Sequence, residues 1–159
     1  MARQLQELLY LLTRAERLAV RQVQSVLDEF DCSVEAWRVL DLLSDGQGHN
    51  MTALADHAFL PAPSLTKLVD QLVDQNLVFR RVDPADRRRI LAHLTPRGKQ
   101  RWQLLVREVR SDWGDLQQLL ADEELAGPLA RLAEALESRD TGLARVTTHR
   151  TESAVGRGR

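Results

Sequence analysis

The feature that most constrains the fold is the stretch from residue 61 to residue 95, where a helical pattern precedes two runs of strand length. Apolar residues recur three and four positions apart from Leu65 to Leu72, which predicts an amphipathic helix. The runs LVFRRV and ILAHLT are rich in β-branched and aromatic residues, and the segment DPADRRR between them contains the turn formers Asp and Pro. A β-hairpin that directly follows such a helix is a wing.

Two shorter helical patterns precede this stretch. Residues 34–43 place apolar side chains on one face, and Ser33 before them is the predicted N-cap. The segment TALADHA at 52–58 is a short helix that leads into the helix after residue 61. Pro63 suits the first position of that helix, where a missing N–H costs nothing. Two short helices with a tight connection form a helix-turn-helix. We therefore predict an α+β fold, mainly α, that contains a winged helix-turn-helix.

Long amphipathic helices flank the winged segment. Residues 3–27 have a 3.6-residue apolar period without Pro or Gly, and a helix from Thr95 is predicted to continue its apolar face to Leu120. This much apolar helix exceeds what one small domain needs, so it predicts a dimer interface. The predicted parts are a first dimerisation helix (1–30), a winged helix-turn-helix (31–95), C-terminal dimerisation helices (96–137) and a flexible basic tail (138–159). The last of these helices is predicted to bend or split at Gly127 and Pro128.

The net charge of −1 conceals a basic module. Residues 78–110 contain ten Lys and Arg against three Asp and Glu, whereas residues 1–60 contain five against nine and residues 111–137 contain one against seven. The distribution of charge, and not its total, decides where a polyanion binds. The alternative is that the basic segment is a solvated face without a partner.

Residue patterns that carry other functions are missing. The single Cys excludes an internal disulfide framework, and no apolar run reaches the roughly 18 residues of a membrane span, so we predict a cytoplasmic protein without a membrane partner. The four His show no metal-ligand spacing, and no P-loop, nucleophile elbow or dinucleotide fingerprint occurs. We predict no enzyme, metal or cofactor. Two classes remain: a DNA-binding regulator, and a helical interaction protein whose basic hairpin docks an acidic protein.

The run from Trp37 to Gly98 resembles the MarR family of dimeric winged-helix transcriptional regulators. The matching landmarks are WRVLDLL, LTKLVDQLVDQNLVFR and, most specifically, DPADRRRILAHLTPRG. The segment AFLPAPS departs from the family pattern, because Phe59 stands where many relatives have Gly. The resemblance implies a homodimer that binds double-stranded DNA at an inverted repeat, with half-site centres about one helical turn apart. It also implies a repressor of a nearby promoter.

The resemblance implies that the helix after residue 61 enters the major groove and that the wing reaches the minor groove. Arg88 is then the minor-groove residue, and Asp86 holds its side chain. The predicted contacts on the helix are Ser64, Thr66, Lys67 and Gln71. The predicted phosphate contacts of the wing are Arg80, Arg81, Arg87 and Arg89. The alternatives are a solvated helix face and, for Asp86, a turn cap or a surface ion pair.

Members of this family commonly bind small, often aromatic and anionic effectors beside the winged domain. Arg14, Trp37 and His57 are the candidate effector contacts, with the fork of Arg14 suited to a carboxylate. The alternatives are core packing for Trp37 and a dimer-interface ion pair for Arg14. Cys32 follows and precedes several acidic residues, which would raise the pKa of its thiol, so we predict an unreactive cysteine.

Overall fold

A computed structural model of the chain describes residues 1–114 and 123–152, and the chain divides into two compact units, Met1–Asp112 and Trp113–Arg159. In the first unit the elements are α1 (Ala2–Asp28), α2 (Val34–Leu43), α3 (Met51–Ala58), α4 (Ala62–Asp74), β1 (Val78–Val82), β2 (Ile90–Leu94) and α5 (Pro96–Asp112). The second unit contains α6 (Glu123–Glu152). The predicted fold class, α+β and mainly α, is confirmed.

One face from each of the five helices builds the core of the first unit. A fully buried leucine comes from each helix in turn: Leu27, Leu40, Leu54, Leu65 and Leu105. Burying such a side chain contributes roughly 1.5–3 kcal/mol. α4 is therefore held by its apolar face, and its polar face points outward.

The two strands form an antiparallel hairpin with partners from Val78↔Leu94 to Val82↔Ile90. A third segment, which the sequence did not predict, extends this sheet through main-chain bonds at His49. The His49 main-chain N–H donates to the Ala92 carbonyl at 3.1 Å, and the His49 carbonyl accepts from the Ala92 N–H at 2.8 Å. Gly48 permits this approach, because a Cβ on Gly48 would lie 2.2 Å from the His93 ring and its φ is +75°. The wing is thus tied to the segment that leads into α3.

The first residues of α2, α3 and α4 are set by the N-cap residues that precede them. The hydroxyl of Ser33 accepts the N–H three residues on at 3.1 Å, so the N-cap predicted for α2 is confirmed. α3 begins at Met51, one residue earlier than predicted, because Asn50 caps it. α4 begins at Ala62 and places Pro63 second, where the N–H also needs no partner within the helix.

The second unit extends further than the sequence predicted. Its helix was predicted to end near Glu137 and to bend or split at residues 127–128, but α6 continues through Pro128 to Glu152. Residues 138–152 contain no proline and only one glycine, so their sequence does not force a helix end. The segment predicted as a flexible tail is helical to Glu152, and residues 153–159 lie outside the described residues. Leu120, predicted to end the apolar face of α5, also lies outside them.

Candidate nucleic-acid interface

The base of the wing is fixed where β2 meets α5. The Thr95 hydroxyl donates to the Asn76 carbonyl at 2.7 Å and accepts the Gly98 N–H at 2.9 Å, and the Thr95 N–H donates to the Leu77 carbonyl at 3.0 Å. A Cβ on Gly98 would lie 1.9 Å from that same Leu77 oxygen. The Thr-x-x-Gly spacing is therefore a structural requirement, because threonine caps α5 and only glycine permits the close approach.

The wing tip, residues 83–89, is folded by two aspartates. Each carboxylate accepts the main-chain N–H two residues further along, at 2.9 Å for Asp83 and 3.0 Å for Asp86. The Asp83 N–H donates to the Arg89 carbonyl at 2.9 Å, and the Arg89 N–H donates to the Asp86 carbonyl at 2.9 Å. Such side-chain to backbone bonds stabilise turns locally. The loop thus acquires its shape without a packed core.

Three exposed arginines follow each other at this tip. Arg87 and Arg88 occupy the centre of the turn, and among the described residues no carboxylate lies within ion-pair distance of either. The Arg89 guanidinium lies 3.6 Å from the Asp86 carboxylate. The expectation that Asp86 holds the Arg88 side chain is corrected: Asp86 binds the main-chain N–H of Arg88 and the side chain of Arg89. The tight turn brings those two groups to the carboxylate and leaves the Arg88 guanidinium in solvent.

Arg80 links the wing to α4 through an ion pair. Its guanidinium donates to the Asp70 carboxylate at 2.6 Å, and both side chains are partly exposed. An exposed pair of this kind contributes little to stability. Its consequence is electrostatic, because the Asp70 carboxylate offsets the positive charge of Arg80. Arg81, one residue on, is exposed on the strand opposite Leu91.

The first turn of α4 presents exposed polar groups at an open helix end. Pro61 is the N-cap, and its side chain has no acceptor for the free N–H groups of that turn, which can donate to an anion instead. Ser64 and Lys67 are exposed beside this end. The Thr66 hydroxyl donates to the Ala62 carbonyl at 3.0 Å, so it has only acceptor capacity left for a base edge.

Gln71 lies further along α4, on a flank that lines a cleft of about 190 Å³ together with Cys32, Gln75 and Arg101. A neighbouring cleft of about 480 Å³ shares Gln75 and Arg101.

Burial raises the pKa of the Cys32 thiol to about 11, and the positive charge of Arg101 only partly opposes this shift. The thiol is therefore protonated at neutral pH. Burial, and not the neighbouring carboxylates that the sequence suggested, is the main cause.

The three candidate effector contacts lie on three helices. Arg14 on α1 and His57 on α3 are exposed, and Trp37 on α2 is half-buried. Neither of the two clefts is lined by any of them. The indole N–H of Trp37 is buried without a hydrogen-bond partner in the described part of the chain. A buried donor of this kind costs free energy, which a ligand acceptor would recover.

These elements form a winged helix-turn-helix with an exposed basic tip, a DNA-binding class of structure. A family model described as MarR family matches residues 30–89. The putative transcriptional regulatory protein for the hcr operon of Thauera aromatica is 30% identical over 130 residues, which cover 79% of this chain and 78% of that protein.

Two solved structures are similar along most of the chain. A MarR family transcriptional regulator from Silicibacter pomeroyi has a TM-score of 0.71 at 30% identity, with 81% of this chain and 94% of that one covered. NadR in complex with 4-hydroxyphenylacetate has a TM-score of 0.69 at 26% identity, with 77% of this chain and 87% of that one covered.

The chain belongs to the MarR family and is a DNA-binding transcriptional regulator. The family matches do not favour the alternative of an interaction protein without specific DNA binding. Membership of a regulator family also points away from an enzyme. Within residues 1–114 and 123–152, no helix is long and apolar enough to cross a membrane, and no three His, Cys, Asp or Glu residues cluster as metal ligands would.

Proposed function

We propose that this protein is a cytoplasmic, dimeric repressor that binds an inverted repeat beside its own promoter through α4 and the wing tip. The observation that carries the proposal is the wing tip itself. Its acidic residues are engaged with the main chain and with Arg89, and they leave the guanidinium of Arg88 exposed at the centre of the turn. Arginine suits a narrow minor groove, where the negative potential is enhanced.

Each predicted contact takes a defined role. Ser64, Lys67 and the open end of α4 bind phosphates and base edges in the major groove, and Thr66 accepts a hydrogen bond from a base amine. Gln71 reads adenine only if its side chain turns away from the cleft that it lines. The arginines that bind phosphate are Arg81, Arg87, Arg89 and, once it leaves Asp70, Arg80.

The proposed dimer interface includes the first half of α1. Between residues 5 and 18, six large apolar side chains are at least 40% exposed: Leu5, Leu8, Leu9, Tyr10, Leu11 and Leu18. On α6, Leu125, Leu129 and Leu136 are also exposed. Monomeric soluble proteins rarely leave contiguous apolar surface of this kind in water. A two-fold dimer buries such a surface and places two copies of α4 about one DNA turn apart.

We also propose that a small aromatic anion binds near Trp37 and releases the DNA. The buried indole N–H, which has no hydrogen-bond partner among the described residues, supports this site, and a structural relative was solved in complex with 4-hydroxyphenylacetate. α2 packs on both α3 and α5, so a ligand that moves α2 would reorient the helix-turn-helix. Arg14 and His57 are exposed in the described chain and would have to approach Trp37 in the dimer or on binding.

Footprinting on the intergenic DNA upstream of the gene tests this function. We expect a protected inverted repeat whose half-site centres lie about 10 bp apart, and loss of protection when an aromatic acid such as 4-hydroxyphenylacetate is added. Protection that spreads evenly over unrelated DNA would contradict the proposed specificity. Protection that persists with every aromatic acid would contradict only the effector. Sedimentation analysis of the free protein checks the dimer.

A further inference from the structure

Three helices of the first unit are followed, within three residues, by a residue that has positive φ and is not glycine. Asp31 has φ +48°, Phe59 has φ +56° and Asn76 has φ +57°. In each case the next N–H reaches back five residues, as in a Schellman motif: Cys32 to Leu27, Leu60 to Ala55 and Leu77 to Leu72. Asp and Asn visit this conformation readily, whereas a bulky residue such as Phe does so at a cost. Phe59 is the outlier.

Packing does not explain this outlier. The Phe59 side chain is 79% exposed, the highest exposure among the described large hydrophobic residues after Met1. Its ring has one described contact with a charge: the Arg38 guanidinium of α2 lies 5.0 Å from the ring centroid. No described carboxylate lies within ion-pair distance of Arg38. The strained turn therefore presents an aromatic face and an arginine together at the surface.

The position of this pair is informative. Phe59 lies between α3 and α4, two residues before Pro61, the N-cap of α4. It is thus at the same end of α4 as Ser64 and the N–H groups that have no side-chain cap and can donate to a phosphate. An exposed aromatic ring with a cation over its face at this end lies beside the proposed path of the DNA backbone.

We propose that Phe59 and Arg38 form a third DNA contact, separate from the polar face of α4 and from the wing tip. The ring packs against a deoxyribose at the groove edge and holds the Arg38 guanidinium toward the adjacent phosphate. Because the contact is to sugar and phosphate, it adds affinity without reading bases. This inference rests on the proposed DNA-binding mode, in which the N-terminal end of α4 faces the DNA.

Substitution of Phe59 by glycine should raise thermal stability and lower operator affinity. Glycine adopts positive φ without strain, so F59G should raise the thermal unfolding midpoint by about 3 °C. The same change removes the ring, so affinity for the footprinted operator should fall about tenfold. A change that merely relaxed the fold would raise the midpoint and leave the affinity unchanged.

The salt dependence of binding identifies the phosphate contact. Loss of one phosphate contact per subunit should make the slope of log K against log salt shallower by about 2 for the dimer. Arg38→Gln should reproduce that change in slope and the loss of affinity. In the double variant F59G with Arg38→Gln, affinity should fall no more than about twofold below Arg38→Gln alone, because the ring acts by placing the arginine.

Two matched variants are the controls. F59L keeps an apolar side chain in the strained conformation, so it should lose affinity without a rise in the midpoint. Arg107→Gln removes an arginine on α5 that is more exposed than Arg38 and pairs with Glu108, and it should change affinity less than twofold. Wild-type affinity and slope in F59G would overturn the inference. Absence of operator binding by the wild type would instead overturn the proposed function.

Discussion

The base and the tip of the wing are built by different physical means. At the base, Thr95 and Gly98 are buried, and a single added methyl group on Gly98 would meet the Leu77 carbonyl. At the tip, residues 83–89 are exposed apart from Asp83, which is half-buried, and the loop is shaped by bonds from Asp83 and Asp86 to its own main chain. The base therefore contributes to folding, and we propose that the tip contributes to binding. On that proposal the single motif DPADRRRILAHLTPRG serves both folding and DNA binding, and separate substitutions can remove each of them.

The largest effect on binding is expected at the tip. Arg88→Ala should lower operator affinity about 100-fold or more, because the dimer loses two arginine contacts worth about 1–3 kcal/mol each. The unfolding midpoint should stay within about 1 °C of wild type, since the Arg88 side chain is exposed. Fluorescence anisotropy and thermal unfolding measure the two quantities. Arg107→Ala is the control for the loss of one positive charge. Equal operator affinity of Arg88→Ala and wild type would contradict the role of Arg88 as the minor-groove contact.

The largest effect on stability is expected at the base. Gly98→Ala should lower the free energy of unfolding by about 3 kcal/mol, because the new Cβ overlaps a backbone oxygen that cannot move freely. Urea denaturation measures this loss. Gly46→Ala is the matched control, since Gly46 has φ +77° but nothing within 4 Å of a new Cβ. It should cost only about 1 kcal/mol of backbone strain. Similar losses in both variants would show that the close approach at Gly98 is not the cause.

Asp86 tests whether order at the tip matters for binding. Asp86→Ala removes the acceptor for the Arg88 N–H, so the turn loosens and operator affinity should fall about tenfold, with a stability change below about 0.5 kcal/mol. Asp86→Asn keeps an acceptor oxygen and should stay within about threefold of wild type. If Asn were as harmful as Ala, the carboxylate charge, and not the turn, would be the important feature.

The smallest effect is expected at the ion pair between Asp70 of α4 and Arg80 of β1. Asp70→Asn frees the Arg80 guanidinium to bind phosphate, so affinity for unrelated duplex DNA should rise about threefold at low salt. Filter binding at two salt concentrations detects this gain. Addition of Arg80→Ala should cancel it. A gain that persists in the double variant would mean that Asp70 acts on the DNA directly.

Local features of the fold were predictable from the sequence. Helical periodicity identified α1, α2 and α4, and the strand-turn-strand pattern identified the wing, because these patterns depend on neighbours along the chain. The cap at Ser33 was predictable for the same reason. The tip residues were also identified, since the turn chemistry of Asp83 and Asp86 is encoded within seven residues.

Contacts between distant residues were not predictable. Thr95 bonds to a carbonyl 19 residues away, and His49 pairs with Ala92, contacts for which the sequence carries no local signal. The Arg80–Asp70 pair depends on how β1 lies against α4. A positive φ at Phe59 is visible only in the backbone, because the residue type argues against it. The effector contacts remain predictions.

Sequence-specific binding by the exposed tip and α4 is the central claim, and one competition titration tests it most directly. Wild-type protein is titrated against the footprinted inverted repeat and against a duplex of the same composition in scrambled order, at physiological salt. The predicted preference for the inverted repeat is about 1,000-fold or more, with an affinity that falls as salt rises. Equal affinity for the two duplexes would contradict the account.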